Sequence, residues 1–212
     1  LVRTDPDSTR HRGLSLLMID AHAPGVTIQP VRVMGGWRVN ACFFDTVSVP
    51  ARNLIGDEGK AWTMMSQALD MERSMSFGGR EARLLLARYL DRVGAQGADL
   101  DEAAYRQIGE FLVDLQAERL LGQQVVALGA RGEAASGEAS MSKLHGPAVA
   151  QRVAQWLVDA LGPNAYTRDS GDPLAEHAEH FLRASTVLSI IGGTSEIQRN
   201  IIAQRWLGLP RG

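Results

Sequence analysis

Cysteine is almost absent from this sequence, since Cys42 is the only one. A chain with a single cysteine cannot form an internal disulfide, which excludes the small disulfide-stapled scaffolds and is typical of a reducing compartment. We therefore expect a cytoplasmic protein. Cys42 lies in a strand-like apolar run, and we expect it to be a buried, inert thiol.

The sequence also lacks a large excess of either charge and any long apolar run. The formal net charge is −2, and the basic residues are scattered without a Lys/Arg run. No electrostatic argument therefore favours nucleic acid or an anionic membrane as a partner. No apolar stretch approaches the roughly 20 residues that a membrane-spanning helix needs. The remaining composition, 45% hydrophobic and 22% charged, is ordinary for a globular protein.

The N-terminal part of the chain has strand-like patterns. Short apolar or alternating runs over 14–19, 26–33 and 39–49 are separated by Pro24-Gly25 and Gly35-Gly36. So few strands would leave open edges and little core if they stood alone. We interpret residues 1–56 as part of a β-domain.

From residue 57 onward the apolar spacing becomes helical, which predicts a mainly α protein. A helix or two in series is expected over 59–93, with Gly78-Gly79 as a weak point. A second helix is expected to begin near Asp99 and to carry an apolar stripe, and a third is expected to end at Gly162. A fourth is expected over 174–190, and the last follows the glycines near the C-terminus. Long amphipathic helices with short loops indicate a bundle of the up-and-down, four-helix type over residues 57–212.

The pair Gly192-Gly193, followed by Thr194, has two interpretations. Two glycines allow close approach of a backbone, and a helix start collects unpaired N–H groups that suit an anion such as a phosphate. The alternative is a glycine-rich corner between helices, with Thr194 as the N-cap of the last helix.

Glu72 is the candidate base, and it also has two interpretations. Met71, Met75 and Phe77 surround it in the sequence, which favours an apolar cavity that would raise the pKa of the carboxyl group and make it more basic. The alternative is a solvated Glu72 beside Arg73, as an ordinary pair on a helix surface.

Taken in order, several segments resemble the acyl-CoA dehydrogenase family. They match its C-terminal portion, namely the end of the middle β-domain and the C-terminal helical domain. The segments are Met34-Gly35-Gly36-Trp37-Arg38, Phe43-Phe44-Asp45-Thr46-Val47-Ser48-Val49-Pro50, Leu54-Ile55-Gly56, Asp70-Met71-Glu72-Arg73 and Ile191-Gly192-Gly193-Thr194-Ser195-Glu196-Ile197-Gln198-Arg199-Asn200.

The resemblance implies α,β-dehydrogenation of an acyl-CoA thioester. Most members place the catalytic base directly before the Gly-Thr pair, where this chain has Gly192. A minority, similar to isovaleryl-CoA and long-chain acyl-CoA dehydrogenases, carry a Glu-Arg pair on an earlier helix, as Glu72-Arg73 do. Glu72 would take the α-proton while a hydride passes from the β-carbon to the flavin N5 of FAD. Arg73 and Gly192 would contact the substrate, although Arg73 is equally a candidate for a structural ion pair.

The resemblance also implies FAD contacts. Gly193, Thr194 and Glu196 match positions that touch FAD, with Glu196 expected on a ribose or adenosine hydroxyl because a phosphate would repel it. Asp159 and Gly162 fall where the family often has Gln-x-x-Gly-Gly reaching the FAD of a neighbouring subunit. Here Asp replaces Gln and Pro163 replaces the second Gly.

These departures suggest a subtype similar to actinobacterial dehydrogenases of steroid or fatty acyl-CoA. The expected assembly is a homotetramer or an α2β2 heterotetramer, with electron-transfer flavoprotein as the acceptor. Poor FAD retention is expected for this chain without a longer chain or partner. Two alternatives stay open: a non-catalytic subunit of a heteromeric acyl-CoA dehydrogenase, and a flavin monooxygenase or nitroalkane oxidase on the same fold.

Metal binding has little support. His177 and His180 are spaced to share one helix face. A zinc site needs a further fixed ligand, and none is evident from the sequence. A solvated helix face is the expected outcome.

Overall fold

The structure is a computed structural model that describes residues 1–73 and 78–210, with the side chains of Asp70, Met71 and Arg73 outside the description. The chain divides into two compact units. One comprises Leu1–Val33 and Trp37–Leu69, and the other Met34–Gly36 and Asp70–Gly212.

The first unit contains the strands. They are β1 (Val2–Arg3), β2 (Leu14–Leu17), β3 (Val26–Arg32), β4 (Arg38–Phe44) and β5 (Leu54–Ile55). The order β1-β2-β5 forms one antiparallel sheet, and β3 and β4 form a separate antiparallel hairpin. The first helix, α1 (Ala61–Arg73), begins in this unit.

The β3–β4 hairpin exposes apolar side chains on both of its faces. Successive residues point to opposite faces of a strand, so Ile28 and Phe44 lie on one face and Val31 and Phe43 on the other. All four are exposed. Cys42 is also exposed, so the prediction of a buried thiol is wrong for this chain. The thiol is exposed because neither face of the hairpin is covered by the described residues.

The second unit is helical, which confirms the mainly α class. Its helices are α2 (Gly79–Ala95), α3 (Glu102–Ala130), α4 (Ser136–Leu161), α5 (Pro173–Ser185) and α6 (Ser195–Ile201), with a π-helical turn over Ile202–Trp206. None of the described helices is long and apolar enough to cross a membrane.

Helix α4 is the centre of the helical core, because it contacts α2, α3, α5 and α6. Its apolar stripe is fully buried and packs against the inward faces of the neighbouring helices. The buried residues on these helices include Leu85, Leu86, Phe111, Leu115, Val149, Val153, Leu157 and Phe181. Burial of such side chains contributes about 1.5–3 kcal/mol each, which makes this stripe the main source of stability for the unit.

Several helix ends follow their sequence signals. Asp101 caps α3 by accepting from Ala104 N–H at 2.7 Å, and Asp172 caps α5 by accepting from Leu174 N–H at 2.9 Å. Gly162 ends α4 with φ 84°. The helix expected over 174–190 is shorter: α5 stops at Ser185, and a 3-10 turn covers Thr186–Ser189. There the Thr186 and Ser189 hydroxyls donate to nearby backbone carbonyls and compete with the helical pattern.

Candidate functional site

The segment between α5 and α6 has a backbone that requires glycine. Gly192 has φ 66° and Gly193 has φ 97°, both in the left-handed region. Thr194 returns to an extended conformation, and its side-chain oxygen accepts from Ile197 N–H at 3.5 Å. Thr194 is therefore the N-cap of α6, as one of the two interpretations of this segment predicts. The positive φ values of the two glycines and the Thr194 cap are compatible with both interpretations of this segment.

Gln198, which the sequence did not single out as a site residue, holds this turn. The side chain is completely buried. Its Nε2 donates to the Gly192 carbonyl at 3.2 Å and to the Gly193 carbonyl at 2.9 Å. Its Oε1 is buried and has no hydrogen-bond partner among the described residues. Both N–H groups of the amide therefore bind the two glycine carbonyls.

A second buried polar residue fixes the approach to the same turn. Lys143 on α4 is 1% exposed, and its Nζ donates to the Leu188 carbonyl at 2.5 Å. Leu188 in turn lies against Gly78, where the missing side chain makes room for it. The chain leading into Gly192 is thus held from α4 on one side and from the start of α2 on the other.

Glu196 is engaged locally at the start of α6. Its carboxylate accepts from its own backbone N–H and from the Thr194 hydroxyl, and these bonds lower the pKa of Glu196 from its ordinary value. Arg199 Nη1 lies 3.8 Å from the carboxylate, and the Glu196 side chain is 76% exposed. Its free lone pairs face solvent and can accept from a hydroxyl.

Glu72 lies at the penultimate position of α1 and is exposed in this chain. No described residue binds its carboxylate by a hydrogen bond or an ion pair, and no described residue encloses it in an apolar cavity. Arg73 ends α1, but its side chain lies outside the described residues, as do Met75 and Phe77. The next described residue is Gly78, which lies beside Leu188.

Asp159 and Gly162 lie together at the C-terminal end of α4. The Asp159 carboxylate accepts from the Tyr166 hydroxyl and from Gln155 Nε2, and the bond to Asp159 raises the pKa of Tyr166. Gly162 N–H donates to the Asp159 carbonyl at 3.1 Å. A carboxylate only accepts hydrogen bonds, so Asp159 cannot donate as a glutamine amide would.

Asp159 also lines a surface pocket of about 520 Å³ between α2, α3 and α4. Tyr89, Trp156 and Leu100 form its apolar wall, and Asp99 and Asp101 give it an acidic rim together with Asp159. Negative potential at such a rim disfavours a phosphate group.

His177 on α5 contacts charged residues of α2. His177 Nε2 contacts the Glu81 carboxylate, and Arg88 Nη1 lies 3.0 Å from His177 Nδ1. Because the Arg88 guanidinium can only donate, Nδ1 is the acceptor of that contact. In the part of the chain that is described, no group of three or more His, Cys, Asp or Glu side chains is placed to hold a metal ion.

Most of the helical unit falls within a range that matches a known family of domains. Residues 59–207 match the family model of the acyl-CoA dehydrogenase C-terminal domain. This chain therefore belongs to the acyl-CoA dehydrogenase family.

Several of the similar proteins come from mycobacteria. The acyl-CoA dehydrogenase FadE26 of Mycobacterium tuberculosis is 33% identical over 227 residues, which cover 99% of this chain and 56% of that protein. Among solved structures, the Tcur3481-Tcur3483 steroid acyl-CoA dehydrogenase superposes with a TM-score of 0.92 at 26% identity, covering 99% of this chain and 56% of that chain. The ChsE4-ChsE5 complex of M. tuberculosis gives a TM-score of 0.86 at 27% identity, covering 100% of this chain and 56% of that chain. The chain thus spans about half the length of these relatives.

Proposed function

We propose that the protein containing this chain is an FAD-dependent enzyme that introduces an α,β double bond into an acyl-CoA thioester. One observation carries the proposal. Position 192, where most of the family has its base, holds a glycine, while a carboxylate with no bound partner among the described residues stands at Glu72 on an earlier helix. Membership of the family supplies the class of reaction.

Glu72 is the proposed base that removes the α-proton of the thioester. Its carboxylate is exposed here, so its basicity depends on what covers it in the assembled enzyme. Apolar cover from the rest of the protein would disfavour the charged form and raise the pKa of Glu72 towards the working pH, which suits proton abstraction. Arg73 directly follows it in α1 and is proposed to position the substrate.

The turn before α6 fits a flavin cofactor. Gly192 and Gly193 have no side chains and adopt positive φ values, so a flat group can approach their backbone closely. When bound, FAD supplies the acceptor for the hydride that leaves the β-carbon. Thr194 caps α6 at this turn, and we propose that Gly193 and Thr194 contact the cofactor. The exposed Glu196 carboxylate is proposed to accept a hydrogen bond from a ribose or adenosine hydroxyl.

The proposed roles at the end of α4 are more limited. By their resemblance to the family motif, Asp159 and Gly162 are proposed to lie at an inter-subunit flavin contact, where the Asp159 carboxylate can only accept. We propose that it meets a hydroxyl or amino group of a neighbouring subunit's cofactor. This altered contact favours an assembly in which another subunit completes the site.

Membership of the same family supports our proposals on domain organisation, substrate and partners. We propose that residues 1–56 are part of the middle β-domain and that residues 57–212 form the C-terminal helical domain. One similar structure is named a steroid acyl-CoA dehydrogenase and another is a two-protein complex. A steroid or fatty acyl-CoA substrate, a homotetramer or α2β2 heterotetramer, and electron-transfer flavoprotein as acceptor are accordingly proposed here.

The test replaces Glu72 with Gln in the assembled flavoprotein, with Glu58→Gln as the control. Both changes remove one exposed carboxylate at nearly constant volume. Loss of a general base is expected to lower kcat by about 10²–10⁴-fold for Glu72→Gln and to leave the control near the wild-type rate. Flavin content should be equal in all three proteins.

Two results would overturn the proposal. Unchanged turnover in Glu72→Gln assigns this chain the role of a non-catalytic subunit. Preference for molecular oxygen over electron-transfer flavoprotein as the acceptor assigns it to the monooxygenase or nitroalkane oxidase class.

A further inference from the structure

The two glycines before α6 need an external restraint to keep one conformation. Glycine populates positive and negative φ about equally, so consecutive glycines leave a backbone free to take several turns. Here Gly192 and Gly193 both adopt positive φ. Some feature of the surroundings must select that combination and hold it.

Gln198 provides that restraint. It lies one helical turn into α6, and its amide donates one hydrogen bond to the Gly192 carbonyl at 3.2 Å and another to the Gly193 carbonyl at 2.9 Å. Two bonds from one planar group fix the orientation of two successive peptide planes. The side chain is 0% exposed, so water does not compete for these donors.

The burial of Gln198 also argues for a role beyond packing. Its Oε1 is buried with no partner among the described residues, and an unsatisfied buried acceptor is unfavourable. A leucine or methionine would fill a similar volume without that penalty. The amide is therefore explained by what its two donors do, which is to hold the glycine carbonyls.

We propose that Gln198 is a positioning residue that sets the Gly192–Gly193 and Gly193–Thr194 peptide planes so that the backbone of this turn faces the thioester carbonyl of the substrate. This rests on the proposed function, because it gives the oriented backbone a reaction to serve. A backbone donor stabilises a developing enolate oxygen only if its direction is fixed before the reaction. Gln198 acts through the two glycines and does not itself touch the substrate.

The test compares Gln198→Met with Gln151→Met in the assembled flavoprotein. Gln151 is a matched control, because its Nε2 also donates to a backbone carbonyl, that of Ser185 at 2.9 Å, away from the glycine turn. We expect Gln198→Met to lower kcat by about 10–100-fold with little change in KM, while flavin content and the control stay near wild type. The carbonyl stretching frequency of a bound enoyl-CoA should shift towards its value in water.

A second readout does not depend on activity. Amide hydrogen exchange over residues 190–195 should accelerate at least tenfold in Gln198→Met and remain unchanged in Gln151→Met. If Gln198→Met does not assemble, Gln198→Asn takes its place, because the shorter amide reaches at most one of the two carbonyls.

The outcomes separate this inference from the proposed function. Wild-type kcat, carbonyl frequency and exchange in the Gln198 variant overturn the positioning role. A wild-type enzyme that does not dehydrogenate acyl-CoA overturns the proposed function, and the exchange over 190–195 then still decides whether Gln198 holds the turn.

Discussion

Gly78 packs directly against Leu188. A β-carbon at residue 78 would stand 2.6 Å from Leu188 Cδ1 and 2.7 Å from the Ala150 β-carbon. Gly78 belongs to the start of α2, just after the segment that carries Glu72, and Leu188 belongs to the turn that leads to Gly192. The start of α2 and the turn that leads to Gly192 therefore share one packing point inside the helical unit.

This contact predicts a large effect of Gly78→Ala on stability. The new methyl group would overlap Leu188 and Ala150, and the φ of 90° is strained for any residue with a side chain. We expect a loss of about 2–4 kcal/mol in the free energy of unfolding, measured with denaturant. Gly109→Ala on α3 is the control, since a β-carbon at residue 109 would have no neighbour within 4 Å among the described residues, and it should stabilise by about 0.5–1 kcal/mol. Equal effects at the two positions would contradict the packing argument.

Arg183 and Glu179 form a largely buried ion pair that also anchors the Met34 carbonyl. Arg183 Nε and Nη2 donate to the Glu179 carboxylate at 2.5 and 2.8 Å, and Nη1 donates to Met34 O at 2.5 Å. The bonds from Arg183 lower the pKa of Glu179. Arg183→Ala would leave a largely buried carboxylate with Arg168 Nε, 4.0 Å away, as its remaining ion pair, and we expect it to destabilise the chain by about 3 kcal/mol at neutral pH.

The double variant Glu179→Gln/Arg183→Ala tests the cause of that loss. Removing the charge together with its partner should recover part of the stability, and the recovery should be seen as a coupling term in a double-mutant cycle. Arg199→Ala is the surface control: its partner Glu196 lies 3.8 Å away and is largely exposed, so a change of no more than about 0.5 kcal/mol is expected. If the effects of the two changes on the free energy of unfolding are additive, the ion pair does not account for the loss of stability.

The Arg92–Asp172 pair predicts an acid-sensitive link between α2 and α5. Two hydrogen bonds of 2.6 Å join the side chains, and Arg92 is the main cause that lowers the pKa of Asp172 from 3.8 to about 2. A depressed pKa adds stability above the unfolded-state value, and this stability is lost as the pH falls through about 2. Because Asp172 is about one-third exposed, we expect a contribution of about 1 kcal/mol.

Arg92→Ala is the corresponding variant. The pKa of Asp172, followed by NMR of its carboxyl carbon, should rise, although the N–H bonds from Leu174 and Ala175 will keep it below its ordinary value. The stability difference from wild type should be present at pH 6 and should vanish only below about pH 2. A constant difference over that range would show that the two helices are joined by packing alone.

Local patterns were sufficient to predict much of the fold. The break at Gly78-Gly79, the end of α4 at Gly162 and the cap at Thr194 depend on the preferences of a few consecutive residues, and each is found where the sequence indicated it. The helical period likewise predicted that the chain is mainly helical from residue 57 onward. The π-helical turn over Ile202–Trp206 was not anticipated, because Trp206 is placed there by its contact with Gly137 on another helix.

The parts that could not be predicted depend on tertiary contacts. Lys143 is a polar residue that donates to a carbonyl 45 residues away, and Gln198 is a polar residue buried by the packing around its own turn. No spacing in the sequence reports either. Cys42 was expected to be buried because its strand is apolar, but burial needs a second layer as well as an apolar strand. The role of Glu72 was inferred from resemblance and stays a prediction.

Relocation of the base provides the last prediction. If Glu72 and position 192 approach the same substrate carbon, the double variant Glu72→Gln/Gly192→Glu should regain part of the activity that Glu72→Gln loses. Recovery should be incomplete, because Gly192 has φ 66° and a side chain there is strained by about 1–2 kcal/mol. Steady-state rates with one acyl-CoA would measure it, with Gly192→Ala/Glu72→Gln as the control for the strain alone. Recovery no greater than in that control would mean that a carboxylate at position 192 does not reach the carbon that Glu72 serves.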